Sequence, residues 1–435
     1  MRIDKMKHIV FATLLLGFTA QVQSQELEPS IDAENRVTFV YADDTASLVQ
    51  LKGSFIPKKK KIKTPAGTFG REQVYDMQRN PDTGLWTYTT EPLPSEMYTY
   101  RFLVDGRPIV DPANPRFVRD VKDTLSYFLI DGETGGYYFD RDVPHGKVER
   151  VWYPSTMNDM TQRRMTVYTP PAYDEAPQDS FPVLYLLHGS GGDETSWTDY
   201  GRAAQIFDNM IASGVIQPLI VVMPNGNASL DAAPGESPYQ DKEPSALNIT
   251  SMLGKIEYAF VPEVVGYVEE HYRARQSRAS RAIAGLSLGG LQTIYISANN
   301  PDTFGYVGLF SAQTTNMLTS ARASKIGKIR EKAVNLMNMT GLQLDFLSGG
   351  KADKFSHVQI YEDFEIKLAV QFHAKPYLYY IAVGEEDFVL KLNNDFRKKL
   401  DEKHYPYVYH LTDGAHTWEN WRKYLVDFLP RLFGN

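Results

Sequence analysis

The decapeptide RAIAGLSLGG (281–290) decides how the rest of the chain is read. Its first half is apolar and strand-like. Its second half opens GGLQTIYISANNP (289–301), a run with helical spacing that stops at Pro301. Between them Ser287 stands in a G-x-S-x-G frame made by Gly285 and Gly289. A strand that turns this sharply into a helix holds the middle residue in a strained backbone and projects its side chain. Side chains at the two glycine positions would collide across the turn. The bare pattern arises by chance about 0.1 times in a chain of this length. The strand–turn–helix setting makes Ser287 a candidate nucleophile rather than a plain turn serine.

Outward from this turn, apolar strands alternate with helical runs. RRMTVYTPP (163–171), FPVLYLLHG (181–189), PLIVVMP (218–224), FGYVGLFSA (304–312), PYLYYIAVG (376–384) and PYVYHL (406–411) read as strands. AAQIFDNMIASG (203–214), YAFVPEVVGYVEEHYRA (258–274) and WENWRKYLVDFLPRLF (418–433) read as helices. Strands that are apolar along their whole length and alternate with helices imply an α/β fold whose central, mostly parallel sheet is covered on both faces. Chemistry in such a sheet collects at the carboxyl ends of the strands.

Three more strand ends carry suitable residues. LLHGSGG (186–192) is a glycine-rich turn, where an acyl-transfer site would place a backbone N–H for an oxyanion. Ser190 is the favoured donor there, with Gly191 its neighbour, and Leu288 N–H, directly after the serine, is the second. His188 precedes the serine in the chain and is expected to support the loop. AVGEEDFV (382–389) offers a carboxylate to orient a histidine; Asp387 is favoured and Glu386 is the alternative. DGAHTWENW (413–421) offers His416 as general base, whereas His404 and His410 are read as structural. The order Ser287, Asp387, His416 is the one an α/β-hydrolase requires. This chemistry needs no metal and no cofactor.

Together with HGSGGDETSW (188–197), PLIVVMPNGN (218–227), NNPDTFGYVGLFSA (299–312), GEEDF (384–388) and GAHTWENWRKYLVDFLPRLF (414–433), the elbow resembles carbohydrate esterase family 1. That family holds feruloyl and acetylxylan esterases. The resemblance implies an α/β-hydrolase fold, with Ser287 as nucleophile, Asp387 as acid and His416 as base. It implies an acylated plant polysaccharide as substrate, feruloyl first and acetyl second. The family often has methionine after the nucleophile; Leu288 stands here, and its backbone N–H does the work. Two stretches, 227–255 and 313–375, are longer than the family pattern and are expected to be insertions on the active-site side. Within the second, 324–339 has helical spacing, and Met337 and Met339 cannot share one helix face.

Competing readings are a siderophore esterase and a non-catalytic glycan-binding protein on a hydrolase scaffold. A strongly anionic siderophore would want a basic mouth, and an intact triad argues against the second.

Before residue 144 the pattern differs. RVTFVY (36–41), LVQLKGSF (48–55), LWTYTT (85–90) and MYTYRFLVDG (97–106) are rich in β-branched and aromatic residues, and Pro/Gly turns separate them. They predict a β-sandwich over 25–143, preceding the hydrolase domain at 144–435. The spacing of Trp86 to YTYRFLVDG resembles the early-set, immunoglobulin-like domains found beside glycan-acting enzymes, and a packing or positioning role is expected of it. KKKKIK (58–63), flanked by Pro57 and Pro65, reads as a solvated loop. At the start, Arg2, Lys5 and Lys7 precede the apolar IVFATLLLGFTA (9–20), which is too short to span a bilayer. Residues 1–24 are therefore expected to be a signal peptide, and the protein to be secreted or periplasmic.

The chain of 435 residues has no cysteine, which excludes thiolate catalysis, disulfides and cysteine zinc sites. Removing residues 1–24 takes the formal charge from −7 to −9. An acidic surface disfavours nucleic acid and anionic lipid as partners.

Overall fold

The computed structural model describes residues 27–57, 60–64, 67–71, 73–157, 160–238, 254–314 and 359–434. The expected signal peptide, Lys58, Lys59, residues 239–253 and residues 315–358, with the 324–339 run and its two methionines, lie outside the described residues. The chain divides into two compact units at Phe139–Asp140.

In the first unit the predicted strands appear as Val37–Ala42, Val49–Gly53, Leu85–Thr89 and Glu96–Val104. Val37–Ala42 and Leu85–Thr89 belong to one antiparallel sheet. Val49–Gly53, Glu96–Val104 and Asp123–Ile130 belong to another. Val37 and Phe39 are buried while Thr38 and Val40, which alternate with them, are not, as in a strand with one face inward. Inner faces of both sheets share one core, in which Phe39 meets Tyr100 edge-on with ring centroids 4.8 Å apart. The lysine-rich stretch corrects an expectation. Lys60–Thr64 pairs with Gly67–Arg71 as a two-stranded antiparallel sheet rather than forming a loop. The β-branched Ile62 and Thr64, alternating with lysines, are a strand pattern that the flanking prolines obscured.

The second unit is built on eight strands: β1 (Lys147–Pro154), β2 (Gln162–Thr169), β3 (Val183–Leu187), β4 (Ile220–Pro224), β5 (Arg281–Leu286), β6 (Tyr306–Phe310), β7 (Leu378–Gly384) and β8 (Val408–Thr412). Their order in the sheet is β1-β2-β4-β3-β5-β6-β7-β8. β1, β2 and β4 pair antiparallel; every pairing from β4 onward is parallel. β3, β4, β5 and β6 are buried at every residue, because helices cover both faces of the parallel part. This is the α/β-hydrolase fold.

The helices that position the site are α1 (Ala203–Ala212), α2 (Lys255–Ala259), α3 (Leu288–Asn299), α4 (Phe364–His373), α5 (Leu390–Glu402) and α6 (Trp418–Phe428). α2 continues through a π-helical stretch, Phe260–Val265, that holds Pro262. A proline has no N–H for the α ladder, and a wider turn accommodates it. α3 runs directly behind the elbow with all but its last residue buried.

Part of each expected insertion lies among the described residues. α4 lies between β6 and β7, as the crossover helix two parallel strands need, so 359–375 belongs to the body. In the other stretch, residues 227–233 form no helix or strand, and Asn227, Ala228, Leu230, Asp231, Ala232 and Ala233 are all buried.

Candidate active site

Strand register fixes where the site forms. Leu187 of β3 pairs with Gly285 of β5, Leu286 with Phe310 of β6, Phe310 with Ala382 of β7, and Gly384 with Thr412 of β8. Five strands, β3, β5, β6, β7 and β8, thus end side by side, and the loops that follow them meet.

At the elbow Ser287 has φ 52° and ψ −113°, a left-handed value rare for a residue with a side chain. Such a backbone persists only where its surroundings over-determine it. Here Ser287 N–H donates to Phe310 O at 2.9 Å, and Ser287 O accepts from Gln313 N–H at 3.0 Å. A side chain at Gly285 would run into Gly289 O and, at 2.8 Å, Thr293 Oγ1; one at Gly289 would run into the carbonyls of His188 and Leu187. The sharp turn therefore requires both glycines.

His416 and Asp387 come to this serine from loops far along the chain. His416 Nε2 lies 2.8 Å from Ser287 Oγ, and His416 Nδ1 lies 2.9 and 3.0 Å from the two Asp387 oxygens. With Nδ1–H donating to the carboxylate, Nε2 is left to accept from the serine hydroxyl. The Asp387 side chain is fully buried, and its Oδ1 also accepts from Val389 N–H at 3.0 Å. Glu386 is exposed and only its backbone is engaged, N–H to Gly414 O at 2.9 Å. His404 is exposed, and His410 sits 3.2 Å from Asp427. The geometry thus brings together Ser287, Asp387 and His416 and leaves the other acid and histidines apart.

The glycine-rich loop after β3 passes directly beside the elbow. A Cβ on Gly189 would come within 3.3 Å of Ser287 Cβ, and Gly191 has φ 79°. The loop carrying Ser190 therefore flanks Ser287, and α3 opens at the next residue, Leu288. His188, only 4% exposed, donates from Nδ1 to Gly189 O at 2.7 Å and accepts Gly226 N–H on Nε2 at 2.7 Å. It is a tie between two loops, as its place in the chain suggested.

Several supporting side chains were not visible as such in the sequence. Arg163, 1% exposed, donates to the carbonyls of Asn225 and Asn227 at 2.6 and 2.9 Å. Glu194, also 1% exposed, accepts from Asn225 Nδ2 at 3.0 Å and Ala233 N–H at 2.9 Å. Gln292 Nε2 donates to Gly226 O at 3.0 Å. Together they fix residues 225–233 as a wall beside the site. At the histidine loop, Asn420 Nδ2 of α6 donates to Ala415 O at 2.9 Å. Trp418 of the same helix stacks on Tyr200 and meets Trp197 edge-on, ring centroids 5.2 Å apart in both pairs. Trp197 Nε1–H in turn donates to Leu187 O at 3.1 Å, which ties the last helix to the end of β3. Sequence signals existed only for the aromatic anchors, whose spacing in WENW fits one helix face.

Two buried carboxyl groups give the unit a pH dependence. Glu257 of α2 accepts Tyr361 O–H at 2.5 Å and Gly254 N–H at 2.9 Å. Burial pushes both Glu257 and Glu194 up to about 7. An acid that binds its proton more tightly when folded stabilises the protein fully below its unfolded value. That contribution is lost as pH rises through about 7. The fall in Tm between about pH 5 and about pH 8 is therefore expected to be a few degrees smaller in Glu257→Gln than in the parent. Equal falls in the two melting series would contradict the shift.

Among the described residues there is no group of three or more His, Asp or Glu side chains that could hold a metal ion. No helix among them is long and apolar enough to cross a membrane.

The protein-family model described as "Putative esterase" matches residues 156–432. The chain belongs to this esterase family. The endo-1,4-beta-xylanase/feruloyl esterase of Xylanibacter ruminicola is 30% identical over 264 residues, covering 59% of this chain and 34% of its own length. The acetyl esterase of Caldicellulosiruptor saccharolyticus is 23% identical over 254 residues, covering 58% of this chain and 84% of its own. The chain thus spans about a third of the length of the first of these relatives. The enterobactin esterase FES of Shigella flexneri shares the fold: TM-score 0.55 at 15% identity, over 91% of this chain and 92% of that one. The expected esterase family and the α/β-hydrolase fold are both borne out.

Proposed function

We propose that this protein is a serine carboxylic-ester hydrolase that removes feruloyl groups from plant cell-wall polysaccharide such as xylan, outside the cytoplasm. The observation that carries the hydrolase reading is the run of contacts from Ser287 Oγ through the His416 imidazole to Asp387. The substrate rests on the Xylanibacter relative, whose name pairs xylanase with feruloyl esterase.

In this mechanism Ser287 gives its proton to His416 Nε2 as Oγ attacks the ester carbon. Asp387 holds the imidazole tautomer and balances the imidazolium. The backbone N–H groups of Leu288 and Ser190 receive the oxyanion, each worth about 3 kcal/mol of barrier. His416 then protonates the leaving alcohol. A water, deprotonated by the same nitrogen, frees the acid from Ser287. Residues 1–24 direct export, and the first unit positions the catalytic one.

Purified residues 25–435 offered methyl ferulate, acetylated xylan and a ferric catecholate ester side by side test this reading. Fastest cleavage of the ferulate supports it. A preference for acetylated xylan would replace the acyl group, and cleavage of the catecholate alone would sink the polysaccharide substrate.

A further inference from the structure

Phe388 directly follows the carboxylate partner of His416, and 39% of it is exposed. Its neighbours Asp387 and Val389 are 4% and 0% exposed. The backbone is held on both sides of the ring, by Glu386 N–H to Gly414 O and by Val389 N–H to Asp387 Oδ1. The Phe388 ring lies against the His416 imidazole, centroids 4.4 Å apart and planes at 47°. Trp421 meets the same imidazole edge-on at 5.0 Å but is only 8% exposed. The imidazole thus has one buried aromatic neighbour and one that reaches solvent.

That position determines what the exposed ring would meet. His416 Nε2 is the atom that hands a proton to the leaving oxygen, so the alcohol half of an ester departs beside this imidazole. The acyl half lies toward the oxyanion donors. We propose that Phe388 is a specificity-determining residue for the alcohol half of the ester, and that its ring stacks against the C–H face of a sugar. The assignment rests on the ester-hydrolase reading above. An aromatic side chain offers a large, rigid contact at low conformational cost, and one fixed next to the proton donor would also hold the leaving oxygen in line.

Two esters that share ferulate and differ in the alcohol separate the halves: methyl ferulate, and ferulate on an arabinoxylan trisaccharide. Matched acetate esters repeat the comparison with a second acyl group. Titration of the serine with a fluorophosphonate counts competent sites, so poorly folded protein does not enter the rates. Phe388→Ala is expected to lower kcat/KM on the sugar ester about tenfold more than on the methyl ester, mainly through KM. Phe388→Tyr is expected to keep the parent ratio. Equal losses on both esters would assign the ring to support of His416 alone and overturn the proposal. A parent protein that cleaves none of the esters overturns the hydrolase reading and this assignment with it.

Discussion

Ser287→Ala is expected to lower turnover of whichever ester the protein cleaves by about a millionfold. The size follows from the proposed role of the serine as the group that bonds to the substrate. Without Oγ no acyl-enzyme forms, and His416 has no proton to take. What remains is binding plus the oxyanion donors, typically about 10³–10⁴ over the uncatalysed rate. The substitution leaves the fold in place, since Phe310 O and Gln313 N–H engage only the backbone of residue 287. Single-turnover rates, a thermal melt and loss of fluorophosphonate labelling are the measurements. A variant that melts like the parent and keeps more than about a thousandth of its rate would show that another group attacks the ester.

Asp387→Asn is expected to cost roughly 10⁴ in turnover with little change in KM. An amide at this position can donate to Nδ1, which leaves the proton on Nε2. The imidazole then faces the serine as a donor and cannot accept from it. The change is nearly isosteric, and the amide oxygen can still receive Val389 N–H, so stability should move little. Glu386→Gln is the contrast: that side chain is exposed, and its loss should change turnover by less than about threefold. Reversed effects in the two variants would exchange the roles of the acids.

The part of this architecture written most plainly in the sequence is the parallel centre. β3 to β6 are buried on both faces, so they appear as unbroken apolar runs, and Ser287 sits where one of them ends. The antiparallel edge was harder to read. KVERVWYP (147–154), which forms β1, is largely exposed and mixes charges with aromatics, so no apolar run marks it. The wall at 225–233 carries no such signal for another reason. Its composition is polar, and only distant partners bury it: Arg163 and Glu194 come from other parts of the chain, and no local pattern announces them. The exposure of Phe388 against the His416 ring likewise has no signature in GEEDF.

His416, the proposed base, rides on the loop before α6, and that helix is docked by Trp418 onto Tyr200 and Trp197. During synthesis the serine and the carboxylate therefore exist for some time without a proton acceptor. A nascent chain, or a fragment clipped ahead of residue 416, carries a chemically idle hydroxyl. In the proposed mechanism competence arrives only when the last helix settles, so the same docking step that packs Trp418 also arms the protein.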